Sequence, residues 1–182
     1  MVTLIGIGSG RWEALSVQAQ DAVCRAGLVF GAKRLLAGLP PECTARQFAL
    51  YQPAEILETL AQAPGQEAAV LYSGDTGIYS GASGLLTPLR ALGIPARVYP
   101  GVSSIQLLAA ALGRPWQDWK LVSAHGCACD PVAECMTERS VFFLTGGAEP
   151  PATLCRKLAD AGMGDVHARG GENLGTGDEA IR

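Results

Sequence analysis

Apolar and polar positions change period several times along the chain, and each change marks an element. Val2-Thr3-Leu4-Ile5 is a short strand-like run that stops at Gly6-Ile7-Gly8-Ser9-Gly10. From Glu13 to Ala26 the residues Leu15, Ala19, Ala22, Val23 and Ala26 recur at helical spacing, so a helix is expected there. Ser16 is placed to cap it, with Ala19 at the third helical position leaving the capping box incomplete. Gly27 stops that helix, and Leu28-Val29-Phe30 reads as a second strand. A short helix opens at Gly31 to Leu36 and ends at Gly38 and Pro40-Pro41. Pro53 to Ala63 reads as a helix, Ala68 to Tyr72 as a buried strand, Gly81 to Leu92 as a helix and Arg97 to Tyr99 as a strand. After Pro100-Gly101, Ser103 or Ser104 caps a helix running to Leu112. Strand and helix thus alternate through residue 112, the signature of an α/β fold with a parallel sheet and crossover helices.

The pattern loosens beyond that point. Gly113-Arg114-Pro115-Trp116 opens a candidate linker over 113–119. Strands follow at Lys120 to Ser123 and Ser140 to Leu144, a helix at Pro151 to Ala161, and a last strand candidate at Asp165 to Ala168. The expected organisation is an N-terminal α/β domain over 1–112, the linker over 113–119, and a C-terminal α/β domain over 120–182. No internal repeat or low-complexity segment interrupts it.

Composition narrows the function classes. Of 182 residues, 48% are apolar and 17% charged, which excludes intrinsic disorder. A chain of this length buries roughly 70% of its unfolded surface, enough for a real core. The 23 glycines and 11 prolines favour a loop-rich α/β protein over a helical bundle. The 14 Lys+Arg against 17 Asp+Glu give net charge −3, without the basic footprint of a nucleic-acid binder. No apolar run reaches the roughly 18 residues of a membrane span. The N-terminus lacks a basic n-region and reads as a first strand instead of a signal peptide. A cytoplasmic protein is expected, its six cysteines reduced and mostly small core fillers.

Three strand ends carry small-residue loops: Gly6 to Gly10, Ser73 to Gly77, and Pro100 to Ser104. Ligands of open parallel sheets bind outside the carboxyl ends of strands, so these loops converge on one crevice. Loop one fails as a dinucleotide fingerprint, because Arg11 stands where Gly or Ala is needed and the second strand ends in no acidic residue. The phosphate-cradling P-loop pattern is absent as well. Ser73-Gly74-Asp75 fits an Asx turn as well as a ligand contact. Pro100-Gly101-Val102-Ser103-Ser104 fits a helix N-cap as well as a ligand contact.

The order and spacing of these segments resemble the tetrapyrrole methylase superfamily over almost the whole chain. The resemblance rests on Val2 to Gly10, Val29-Phe-Gly-Ala-Lys-Arg34, Ser73-Gly-Asp-Thr-Gly-Ile-Tyr79, Tyr99-Pro-Gly-Val-Ser-Ser-Ile-Gln106, Leu121-Val-Ser-Ala-His-Gly126 and Glu172-Asn-Leu-Gly175. Gly-x-Lys-Arg, Pro-Gly-x-Ser-Ser, Ser-x-His-Gly and Glu-Asn-Leu-Gly are similar to the branch that methylates C5 of a corrin-ring precursor in cobalamin biosynthesis. That branch occurs alone or as the N-terminal half of a fused C5,15 enzyme. Two departures stand out: Ser9 and Thr76 replace the prolines usual in loops one and two. Both changes remove rigidity and no functional group, so looser loops are expected. The chain also ends earlier than family members usually do, which implies a missing last strand of the second domain.

The resemblance implies two α/β domains with S-adenosyl-L-methionine in the cleft between them. It assigns cofactor contacts to Ser73, Gly74, Asp75, Ile78, Ser103, Ser104 and Leu144. Loop one, with Gly8 and Ser9, would line the substrate trough. A cobalt-precorrin or precorrin substrate is a flat macrocycle edged with carboxylates, and Arg11, Lys33 and Arg34 are candidates to hold them, arginine offering a bidentate fork. Solvated surface cations are the plainer alternative. No catalytic residue is assigned; His125 is a weak candidate for substrate contact or proton transfer, and a structural role fits it too. Cys127-x-Cys129 with His125 and Cys135 matches no ordinary zinc spacing, so no metal is expected. Trp116 and Trp119 are expected at the domain junction, and Glu172 either at the cleft or in a turn. A homodimer is implied, with a C15-methyltransferase as a further partner. The rival readings are a methylase of the same fold acting on another ring position, a ribose methylase of ribosomal RNA, and a non-catalytic tetrapyrrole-binding or partner subunit. The absence of a basic surplus argues against RNA.

Overall fold

A strand buried on both faces reads as an unbroken apolar run, and here those runs assemble side by side. The structure is a computed structural model that describes residues 1–146 and 149–182. The chain divides into two compact units, Met1–Ser103 and Ser104–Arg182.

The first unit holds a five-stranded parallel sheet of β1 (Val2–Gly6), β2 (Leu28–Phe30), β3 (Arg46–Phe48), β4 (Ala68–Tyr72) and β5 (Ala96–Tyr99), in the order β3-β2-β4-β1-β5. Val2 to Gly6 pair in register with Ala68 to Tyr72, and Val2 to Ile5 with Ala96 to Tyr99. The period of two sends alternate residues to opposite cores. Val2, Leu4, Leu28, Phe30, Ala68 and Val70 pack against Ile56 of α3 (Pro53–Ala61) and Leu85 and Leu89 of α4 (Ala82–Ala91). Ile5, Val29, Ala69 and Leu71 pack against Ala19 and Val23 of α1 (Val17–Arg25) and Leu35 and Leu36 of α2 (Lys33–Leu36). Leu4, Phe30 and Leu85 are fully buried, each stabilising the fold by roughly 1.5–3 kcal/mol.

Strands β1 and β4 are adjacent, yet the helices that follow them lie on opposite faces. This is a topological switch point, where the carboxyl ends of the strands splay and leave a crevice.

The structure departs from the sequence-based expectations at several places. The helix expected from Glu13 begins at Val17, because Leu15 and Ser16 are extended; Ser16 Oγ accepts from Ala19 N at 3.3 Å, and Trp12–Ala14 form a separate 3-10 turn. Strand β3 was not indicated by the pattern, since Arg46 and Gln47 are exposed at the sheet edge. It is held by Phe48 stacking on Phe30, ring centroids 5.2 Å apart, with the Arg46 guanidinium 5.3 Å from the Phe48 ring centroid. Asp165 to Ala168 is not a strand: its one large apolar residue, Val166, is exposed.

The second unit contains α5 (Ser104–Ala111), a parallel pair β6 (Lys120–His125) and β7 (Val141–Gly146), α6 (Pro131–Cys135), α7 (Pro151–Asp160), and an antiparallel hairpin β8 (Gly171–Glu172) and β9 (Ala180–Ile181). Helix α6 is also absent from the sequence pattern; Asp130 caps it, accepting from Val132 N at 3.0 Å and Ala133 N at 3.3 Å. Trp119 is buried and stacks on Phe142 of β7, centroids 6.5 Å apart, while Trp116 is exposed. No helix among the described residues is long and apolar enough to cross a membrane.

Candidate functional site

At the switch point the loops after β1, β4 and β5 meet, those after β1 and β4 through their backbones. Gly8 and Gly74 form an antiparallel bridge: Gly8 N donates to Gly74 O at 3.1 Å, and Gly74 N to Gly8 O at 2.9 Å. Gly8 and Gly74 have φ of +59° and +66°, the left-handed region that side chains avoid. A Cβ on Gly101 would overlap Gly74 O and lie 2.5 Å from the carbonyl carbon and oxygen of Gly6. A Cβ on Gly6 would in turn lie 2.7 Å from Gly101 N and from Gly74 O. Gly6 and Gly101 are therefore packing requirements, set by chain segments far apart in sequence, while Gly8 and Gly74 are required by backbone conformation.

The cofactor candidates of this unit gather there. Ser73 is exposed, Gly74, Asp75 and Ile78 are half-buried, and Ser103 is buried. Ser103 lies beside Gly74, its Oγ 3.7 Å from the place a Gly74 Cβ would take. Asp75 uses both carboxylate oxygens internally: Oδ1 accepts from Gly77 N at 2.8 Å and Oδ2 from Gly101 N at 3.0 Å. Thr76, expected to loosen its loop, sends its hydroxyl to Tyr99 O at 3.5 Å, a long bond that replaces some of proline's restraint. Tyr79 follows in a left-handed conformation, φ +48°, unusual for an aromatic residue. Sequence reasoning passed over Tyr72, whose phenol burial pushes up to about 12. It stays a neutral donor throughout the physiological range.

The basic candidates stand at the same carboxyl edge. Gly38, just past α2, lies against loop one; a Cβ there would be 2.9 Å from Gly10 O. Arg11 follows that loop and is exposed, its Nε 3.7 Å from Glu13 Oε2, a contact of little energy in solvent. Lys33 and Arg34 are exposed, and among the described residues neither has an ion-pair partner. Gly8, in the bridge, is buried, and Ser9 beside it is half-buried.

The second unit holds the other candidates. Ser104 opens α5 and is half-buried; Leu144 is half-buried on β7, opposite Ser123. His125 ends β6 opposite Gly146, exposed, with Nδ1 3.4 Å from Thr145 O. Its ring lies on Gly146, where a Cβ would overlap Nδ1 and come within 2.7 Å of Cε1. Glu172 pairs with Arg182 Nη2 at 3.2 Å across the β8–β9 hairpin. Cys127 Sγ donates to Ser123 O at 3.2 Å. Among the described residues no three of His, Cys, Asp and Glu come together as a metal site would need.

Known proteins resemble this chain in sequence and fold. The chain is 31% identical over 183 residues to the cobalt-precorrin-7 C(5)-methyltransferase of Salmonella typhimurium, covering 100% of this chain and 89% of that protein. It is 30% identical to the precorrin-6Y C(5,15)-methyltransferase of a Sinorhizobium species, covering 99% of this chain and 44% of that protein. The crystal structure of a uroporphyrin-III C-methyltransferase from Thermus thermophilus, complexed with S-adenosylhomocysteine, superposes with a TM-score of 0.74 at 21% identity, over 100% of this chain and 81% of that one. The pattern that defines the tetrapyrrole (corrin/porphyrin) methylases matches residues 1–182. With the switch-point loops, the sheet and the relatives in agreement along its length, the chain belongs to the tetrapyrrole methylase family.

Proposed function

We propose that this chain is an S-adenosylmethionine-dependent methyltransferase that methylates C5 of a corrin-ring precursor, cobalt-precorrin-7 or precorrin-6B, in cobalamin biosynthesis. The observation that carries this reading is the match to the Salmonella cobalt-precorrin-7 C(5)-methyltransferase along the whole of this chain and 89% of that protein. The fused C(5,15) relative supports a separate C15-methyltransferase as a functional partner. The family resemblance supports a homodimer, and six free cysteines suit the reducing cytoplasm.

The donor set fits the cofactor. Hydroxyls of Ser73 and Ser103 suit the polar ribose and amino-acid groups, and Ile78 offers aliphatic surface to an adenine; the family resemblance adds Ser104 and Leu144 as further contacts. Gly8 and Gly74 keep backbone groups uncovered by side chains. When bound, S-adenosylmethionine supplies an electrophilic methyl on sulfur, so the protein's task is positioning. Arg11, Lys33 and Arg34 hold the carboxylates of the macrocycle while Gly8 and Ser9 line its approach. His125, set on Gly146, is the candidate for substrate contact or for moving the proton lost from C5.

Calorimetric titration with S-adenosylhomocysteine tests the class, and micromolar binding at a single site per chain is expected. Incubation with S-adenosylmethionine and cobalt-precorrin-7 then tests the position: the product should gain one methyl, located at C5 by NMR. A folded sample that binds no S-adenosylhomocysteine, or a methyl at another carbon, overturns the reading.

A further inference from the structure

We propose that Asp75 is a positioning residue: its carboxylate clamps the loop after β5 to the loop after β4, and so places Ser73 and Ser103 for the cofactor. The inference rests on the cofactor assignment above and changes the role of one of its residues, from ligand contact to clamp.

The geometry carries the argument. The two oxygens of Asp75 take backbone N–H groups from two different loops, Gly77 at 2.8 Å and Gly101 at 3.0 Å. The second bond spans 26 residues and joins strands β4 and β5, which are not neighbours in the sheet. It forms only because Gly101 has no Cβ and can sit against Gly74 O and the Gly6 carbonyl. Ser103 lies two residues beyond Gly101 and is buried beside Gly74. Moving Gly101 therefore moves Ser103 relative to Ser73. A carboxylate suits this task because it accepts at both oxygens, and hydrogen bonds to a charged group are the stronger kind. An amide in its place must turn an NH2 toward one of the two N–H donors.

A clamp and a direct charge contact predict different ligand dependence. S-adenosylmethionine carries a sulfonium and S-adenosylhomocysteine a neutral thioether. A carboxylate contacting the sulfonium would matter for the first and little for the second. A clamp matters equally for both. The test is calorimetry of Asp75→Asn with each ligand, paired with hydrogen exchange of the Gly101 amide in wild type and variant. The expected result is a loss of about tenfold or more in both affinities, with their ratio unchanged, together with a Gly101 amide protected in wild type and exposed in the variant. A loss confined to S-adenosylmethionine with Gly101 still protected, or no loss at all, overturns the clamp. Should Asp75→Asn fail to fold, wild-type exchange decides: a Gly101 amide exchanging at the rate of an open loop overturns it. Should wild type bind neither ligand, the proposed function fails, and the Gly101 amide alone tests the clamp.

Discussion

Replacing Gly101 by alanine adds one methyl group at the point where three loops meet. The new Cβ overlaps Gly74 O and lies 2.5 Å from the carbonyl carbon and oxygen of Gly6. All of these are backbone atoms, so none can swing aside as a flexible side chain would. Overpacking of this kind costs roughly 1–3 kcal/mol. Relief requires moving the β5 loop outward, which breaks the Gly101 N–H bond to Asp75 and costs about 1.5–3 kcal/mol more. For a chain of this size the sum corresponds to a melting temperature lower by roughly 10 °C. Circular-dichroism melts and urea titration read the stability, and S-adenosylhomocysteine calorimetry reads the site. Gly84→Ala is the control, since its Cβ meets only Pro53 Cγ at 3.8 Å within helix α4. It should gain about 0.5–1 kcal/mol. A Gly101→Ala protein that melts within about 1 °C of wild type and keeps its ligand affinity refutes the interlock.

Arg34→Ala removes an exposed guanidinium without an ion-pair partner among the described residues. It should raise KM for the corrinoid about tenfold, the worth of one hydrogen-bonded charge, and leave S-adenosylhomocysteine affinity unchanged. Initial rates against both substrates check this, and the reverse pattern contradicts the assignment. Alkaline pH should destabilise the fold. Burial pushes the Cys43 thiol from 9.0 to about 11 and the Tyr72 phenol from 10.0 to about 12. Both groups become anions on losing the proton, so the native state holds protons longer than the unfolded one. Their contribution is whole below pH 9 and is lost as pH rises through 11 and 12. A urea midpoint equal on both sides of that window contradicts the burial of these groups.

Much of the fold was legible because its signals are local. Strands β1, β2 and β4 announce themselves as apolar runs, since helices cover both faces of the sheet. Ser16 was readable as a cap because capping joins residues three apart. Strand β3 was hidden because an edge strand need not be apolar at Arg46 and Gln47; its stability comes from Phe30 and Arg46 around Phe48. Helix α6 was hidden because five residues are too few for a helical period to show. Asp165 to Ala168 resembles a strand by composition, yet among the described residues no strand pairs with it. At the site, the glycines after β1, β4 and β5 were visible as turn residues, but their reason was not. Asp75 read equally well as an Asx turn or a ligand contact, because the Gly77 bond is local and the Gly101 bond is not.

Local periodicity and turn chemistry thus dictate which segments become strands, where most of the helices lie and which loops carry no side-chain bulk, since each depends on neighbours within a few residues. The order β3-β2-β4-β1-β5, the switch point between β1 and β4, and the meeting of Gly6, Gly74 and Gly101 belong to the tertiary structure alone. They arise when both faces of the sheet are buried at once, and only then do residues distant along the chain come within hydrogen-bond reach.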